Sequence, residues 1–211
     1  MKGNALSKYS ALSGILAVIL TLIVLAVSGY IQPDYSHIEN LISELNQRGA
    51  PYALPIGYFG FLPIGLVTLF FIWRLKSDVV HSKRSIVGLL FIAFSGVDWL
   101  VTVFAPCDPG CPMSGHISLS QEIHNLSGLL TSTLVPIGVY LLINPLRDSG
   151  FGKAVIVMSV IVLVDTVVTF AILIFEGFPD GPGLMQRIDL GVFLVYLSIL
   201  SVKVYRKMQR I

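Results

Sequence analysis

Charge is what this sequence has least of. Asp, Glu, Lys and Arg make up 12% of its 211 residues, about half the share of an average soluble domain. A surface that poor in charge excludes an ordinary water-dispersed globule. Cysteine is nearly absent too, with two residues, and histidine numbers four. No second cysteine pair exists to complete a four-thiolate zinc site. Gly-x-Gly-x-x-Gly, P-loop, Cys-x-x-Cys-His and His-Glu-x-x-His patterns are all missing. Dinucleotide, nucleotide, c-type haem and zinc-protease chemistry therefore have no motif to rest on. No apolar run contains a lysine for a retinal Schiff base or a histidine pair for a haem. Internal repeats, the mark of inverted-repeat transporters, are not evident.

Long apolar runs are what remains, in a chain that is 55% hydrophobic. A bilayer core of about 30 Å needs a helix of about 20 apolar residues. Six such runs occur: 10–30, 54–73, 85–105, 124–144, 154–176 and 186–202. The first follows Lys2 and Lys8 like a signal peptide, but its apolar core exceeds the usual 7–15 residues of one, so it reads as a span. The pattern predicts an all-α polytopic integral membrane protein, a six-helix bundle forming one membrane domain over 1–211.

The basic residues set the orientation. Lys2 and Lys8 precede the first run; Arg74, Lys76, Lys83 and Arg84 join the second to the third. Arg147 and Lys153 join the fourth to the fifth, and Lys203, Arg206, Lys207 and Arg210 close the chain. Twelve of the 14 basic residues thus fall on one side, with only Arg48 and Arg187 opposite. The positive-inside rule places both termini in the cytoplasm of a cell-membrane protein. Lysine and arginine are then a topology device, with no nucleic-acid partner implied.

The three connections on the other side carry the chemistry. The first holds Asp34, His37, Glu39, Ser43 and Glu44; the second Asp108, His116, Glu122 and His124; the third Glu176, Asp180 and Asp189. His81 alone lies among the basic residues. Ser36 and Glu39 have capping-box spacing, and Ile38, Leu41, Ile42 and Leu45 recur at helical intervals. A short amphipathic helix over 36–45 is expected at the interface, as a partial lid. "CDPGC" sets Cys107 and Cys111 around an Asp-Pro-Gly turn. In an oxidising compartment they form a disulfide that shapes the loop; metal ligation by the two thiols is the alternative.

Ionisable residues inside spans cost about 2.5–3.5 kcal/mol or more on insertion scales, so each one needs a reason. Asp98 shares a helix face with Ser95 and Thr102. Asp165 lies mid-span, with Thr169 at i+4. His124 opens the fourth run, with Ser127, Gly128 and Thr131 continuing its face inward. These acids either line a hydrated cavity reaching His124 and Arg187, sit protonated, or hydrogen-bond a neighbouring helix and set packing. Gly57, Gly60, Pro63 and Gly65 in the second run suggest close packing and a bend.

"HIENLISELNQRGAP" in the first outer loop and "FAPCDPGCPMSGHISLSQEIHNLSGLL" around the second resemble the prokaryotic membrane proteins grouped as domain of unknown function 998. The resemblance covers most of the chain and implies a six-helix membrane bundle, with no activity attached. Ser43, Glu44, Cys107, Asp108, Cys111 and His124 fall on its pattern; His37 and His116 do not. More distantly, the chain is similar to the eukaryotic six-span family of autophagy-modulating and GPI-anchor-remodelling proteins.

Three functions fit. The first is an outward pocket that binds a membrane lipid or small molecule, or engages a membrane-protein partner. Its candidate residues are Ser43, Glu44, Asp98, Asp108, His124, Ser127, Thr131 and Asp165. The second is a zinc-dependent lipid hydrolase, in which His124 with His37, His116 or Asp98 holds the metal and generates hydroxide. The third is proton-coupled transport through Asp98, His124 and Asp165. A binding pocket needs an outward cavity closed below by apolar side chains, whereas transport needs a polar path to the other side.

Overall fold

The computed structural model describes residues 11–79, 82–175 and 180–209, without the side chains of 173–175 and 208. Lys2, Lys8, His81, Glu176 and Arg210 lie outside the described residues. Six helices are long and apolar enough to cross a membrane: α1 (Ser13–Ile31), α2 (Ala53–Val79), α3 (Lys83–Phe104), α4 (Leu119–Asp148), α5 (Lys153–Phe175) and α6 (Pro182–Gln209). This is an all-helical, multi-pass membrane bundle. Its two ends are distinguished below as the loop end, bearing residues 32–52 and 105–118, and the termini end. At the termini end the Ser201 hydroxyl donates to Ala11 O at 2.5 Å and accepts from Ile15 N.

Apolar and polar side chains are distributed as a lipid solvent demands. Leu22, Leu90, Leu129 and Val167 are exposed, while Thr21, Thr68, Ser95, Ser127 and Ser159 are buried. Several buried hydroxyls bond their own helix, such as Thr21 to Ala17 O and Ser159 to Val155 O, both about one turn back. A hydroxyl satisfied locally adds little insertion cost.

Close contacts are built on glycine. A Cβ on Gly138 would lie 2.7 Å from Gly88 O, and one on Gly65 2.8 Å from Gly96 O. These pairs bring the backbones of α3 and α4, and of α2 and α3, almost into contact, as small residues do between membrane helices. The expected irregularity of the second span is present: Gly57–Phe61 forms a π turn between α-helical segments.

Helix ends differ from the apolar runs for local reasons. α4 starts at Leu119, five residues before His124. Ser118 caps it by accepting from Gln121 N, and the Asp108 carboxylate accepts from Ser118 N and Oγ, both at 2.8 Å. α6 starts at Pro182, a residue suited to a first helical position because its missing N–H is not needed there.

The first outer loop does contain a short helix, but it is a 3₁₀ segment over Ile42–Asn46 rather than an amphipathic helix over 36–45. The backbone groups that a continuous helix would use internally are taken by α6. Leu184 N donates to Ile38 O at 2.9 Å, the Arg187 guanidinium to Asn40 O at 3.0 Å, and Ile42 N to the Gln186 side chain at 2.6 Å. Ser36 makes a turn only, accepting from Ile38 N and Glu39 N. Tertiary partners outcompete the local helix. Ile42, Ser43, Leu45 and Asn46 end up buried, so the segment is a plug and not a floating lid.

Candidate functional site

Every helix of the bundle contributes to one cavity of about 300 Å³ toward the loop end. Ile42 and Ser43 of the 3₁₀ plug form its roof. The plug is held by Asn46, whose side chain donates to Thr102 O at 2.6 Å and whose oxygen sits against Gly57; a Cβ there would be 2.7 Å from it. Leucine at 45 fills a small cluster with Ile56, Phe61, Ile64 and Val103 beneath. A glycine at 57 is therefore what admits the roof.

One wall of the cavity is Asp98, His124 and Thr131, with Ser127 behind. Ser127 Oγ donates to Asp98 Oδ1 at 2.5 Å, and the His124 ring lines the cavity with the same carboxyl. Nδ1 of His124 donates to Ala105 O at 3.2 Å, which orients the ring. The opposite wall is Asp165, Thr166 and Thr169 of α5 with Gln186 and Asp189 of α6. Thr169 donates to Asp189 at 2.7 Å, and the carboxyls of Asp165 and Asp189 are within hydrogen-bonding reach of each other. Two carboxyls in contact require a proton or a cation between them.

The rest of the lining is mostly aromatic and aliphatic, with Phe61, Trp99, Phe170, Phe193, Leu194 and Leu197, interspersed with the hydroxyls of Thr21, Thr68, Ser95, Thr102 and Ser132. Below it, Phe71, Leu75, Ile92, Val139, Leu142, Tyr196 and Leu200 fill the bundle toward the termini end in one buried cluster. That apolar plug closes the floor.

The sequence-predicted residues divide into two groups. Ser43, Asp98, His124, Thr131 and Asp165 line the cavity, and Ser127 is bonded to Asp98. Glu44 instead closes the first loop on itself, accepting from Leu41 N at 2.7 Å and from the Asn40 amide at 2.9 Å. Asp108 does the same for the second loop, capping Ser118 and pairing with Arg48 at 3.1 Å. The bonds from Ser118 above all, with the Arg48 charge helping, hold the Asp108 carboxyl below its usual range.

The Cys107–Cys111 disulfide is present, with both sulfurs buried. Ser43 Oγ lies 3.3 Å from Cys111 Sγ. Backbone bonds tie the turn to the first loop, Arg48 N donating to Cys107 O at 2.9 Å and Gly110 N to the Gln47 side chain at 2.6 Å.

His37 packs edge-on to Tyr35 on an exposed rim, and burial, with the Arg187 charge, lowers its pKa. Tyr35 itself is bonded to Arg187, yet burial dominates and raises its pKa. His116 is exposed. Among the described residues, one triad of His, Cys, Asp or Glu has its donor atoms within 4.8 Å of one another, and it is Cys107, Cys111 and His124. Neither His37 nor His116 belongs to it.

Sequence reasoning left Asp189, Gln186 and the buried threonines Thr21 and Thr68 out of the site. Asp189 and Gln186 are spaced i, i+3 at the start of an apolar helix, the same signal that singled out His124 and Ser127. The description "Protein of unknown function (DUF998)" belongs to a family that matches residues 15–203. No curated protein and no solved structure matches the chain.

Proposed function

The chain belongs to the DUF998 family of membrane proteins, and from that premise we propose that it binds a lipid or small amphiphile in the loop-end cavity, by a head that donates hydrogen bonds, an ammonium first of all. One observation carries this reading. The cavity lining contains three carboxyls and an imidazole, but no lysine or arginine among the described residues. An ammonium between Asp165 and Asp189 supplies the cation their contact calls for. The tail lies along Phe170, Phe193 and Leu194. The buried apolar cluster between the cavity and the termini end, with Phe71, Leu142 and Leu200 in it, supports binding over proton-coupled transport.

The orientation belongs to the same reading. Basic residues gather at the termini end, which supports an orientation with that end in the cytoplasm and the cavity near the outer leaflet. The disulfide suits that side. A reporter fused to the carboxyl end, active only in one compartment, checks it.

Trp99 lines the cavity and supplies a signal. Titration of the detergent-solubilised protein with dodecylamine should shift its fluorescence saturably. Asp165→Asn should weaken the binding about ten- to a hundredfold, the loss of one charge-assisted hydrogen bond. Equal affinity for dodecanol, or an unchanged affinity in the variant, would reject an ammonium-selective site.

A further inference from the structure

The disulfide and Ser43 have no role in amphiphile binding beyond shape, yet they converge with His124 at the edge of the cavity. We propose that Cys107, Cys111 and His124 form a redox-gated site for one divalent cation of the Zn²⁺ class, closed while the disulfide is intact and open once it is reduced. The three donor atoms already lie within 4.8 Å of one another. Ser43 Oγ, 3.3 Å from Cys111 Sγ, is a fourth donor at hand, and like His124 it borders the cavity. Two thiolates and one imidazole are the donor set that favours Zn²⁺ over Mg²⁺ or Ca²⁺.

The geometry asks for little movement. Two sulfurs on one tetrahedral zinc, each about 2.3 Å from it, stand about 3.8 Å apart. Cys107 and Cys111 Cα atoms are 5.0 Å apart, so side-chain rotation about Cα–Cβ opens the sulfurs to that spacing. The bond from His124 Nδ1 to Ala105 O fixes the ring close to the two sulfurs. Cys111 adopts a left-handed backbone, φ 44°, next to Gly110 at φ 76°. The turn is thereby held with both sulfurs inward, under an exposed Pro109–Gly110 crown.

The chemistry balances with a dithiol as reductant. The dithiol passes two electrons and two protons to the Cys107–Cys111 bond and becomes a disulfide itself. Cys107 and Cys111 become thiols. Metal binding then releases those two protons as both sulfurs coordinate as thiolates.

The test uses the full chain in detergent with Co²⁺ as a spectroscopic probe and Zn²⁺ as competitor. After anaerobic reduction by a phosphine and its removal, one Co²⁺ per chain should bind with sulfur-to-metal charge-transfer absorption, displaced by one Zn²⁺. The oxidised protein and the Cys107→Ser/Cys111→Ser variant should show no such band. His124→Ala should weaken binding at least about tenfold. Reduced wild type binding no better than the double variant would overturn the proposal, as would an oxidised protein binding equally well. If His124→Ala does not fold by circular dichroism, X-ray absorption of the zinc-loaded wild type decides: nitrogen beside two sulfurs upholds the site, and sulfur alone overturns it.

Discussion

Replacing Gly183 by alanine should lift the roof off the cavity. Gly183 is the second residue of α6, and a Cβ there would stand 2.1 Å from Asn40 O and 2.8 Å from Asn40 C. Both are backbone atoms, so no side-chain rotation relieves the clash; the 38–42 segment has to move. Three hydrogen bonds go with it, from Leu184 N to Ile38 O, from Arg187 to Asn40 O and from Ile42 N to Gln186. At about 0.5–1.5 kcal/mol each, their loss is near 3 kcal/mol, or about a hundredfold in the local opening equilibrium. Hydrogen–deuterium exchange of the detergent-solubilised protein reads this directly. Peptides covering 36–48 should lose about two decades of protection, while peptides within 125–145 should keep theirs. Wild-type protection over 36–48 would refute the claim that α6 holds the roof in place.

Other consequences follow from single contacts. Gly138→Ala should destabilise the bundle by about 1–3 kcal/mol through overpacking, because its Cβ would meet Gly88 O and Ile92 N. Gly128→Ala, with nothing within 4 Å, should be neutral or slightly stabilising in the same thermal assay. A double-mutant cycle between Ser127→Ala and Asp98→Asn should show a coupling of at least about 0.5 kcal/mol, and additive effects would deny the bond seen between them. The depressed Asp108 carboxyl stabilises the second loop fully above the ordinary carboxyl pKa of about 3.9 and less as pH falls through its lower folded value. The ratio of disulfide reduction rates, Asp108→Asn over wild type, should therefore stay flat from pH 7 to about 4 and fall toward one below; a decline already at pH 6 would contradict it.

The spans were legible because a bilayer demands long uninterrupted apolar runs, and six such runs coincide with six helices. Their ends were less so. Ser120, Gln121 and Glu122 look like loop, yet they form the first turn of α4 because Asp108 and Ser118, outside the apolar run, cap it. The 36–45 periodicity failed for a tertiary reason: Ile38 O, Asn40 O and Ile42 N found partners on α6 that no local pattern announces. Asp98, Ser127, Thr131 and His124 were legible as a face because α3 and α4 each carry polar groups at helical spacing. Asp165 and Asp189 were each visible, but their pairing was not, since the register between α5 and α6 is set by packing. Glu44 and Asp108 fell on the family's pattern, but their hydrogen bonds show them closing loops.

Mass spectrometry of what co-purifies with the protein tests the central claim most directly. Wild-type protein, extracted gently and washed, should retain about one amphiphile per chain that bears an ammonium or other donor-rich head. Asp165→Asn/Asp189→Asn, still folded by circular dichroism, should lose it while keeping its annular lipid. An identical lipid complement in both, with no species enriched over bulk membrane, would contradict a cavity built to hold such a ligand.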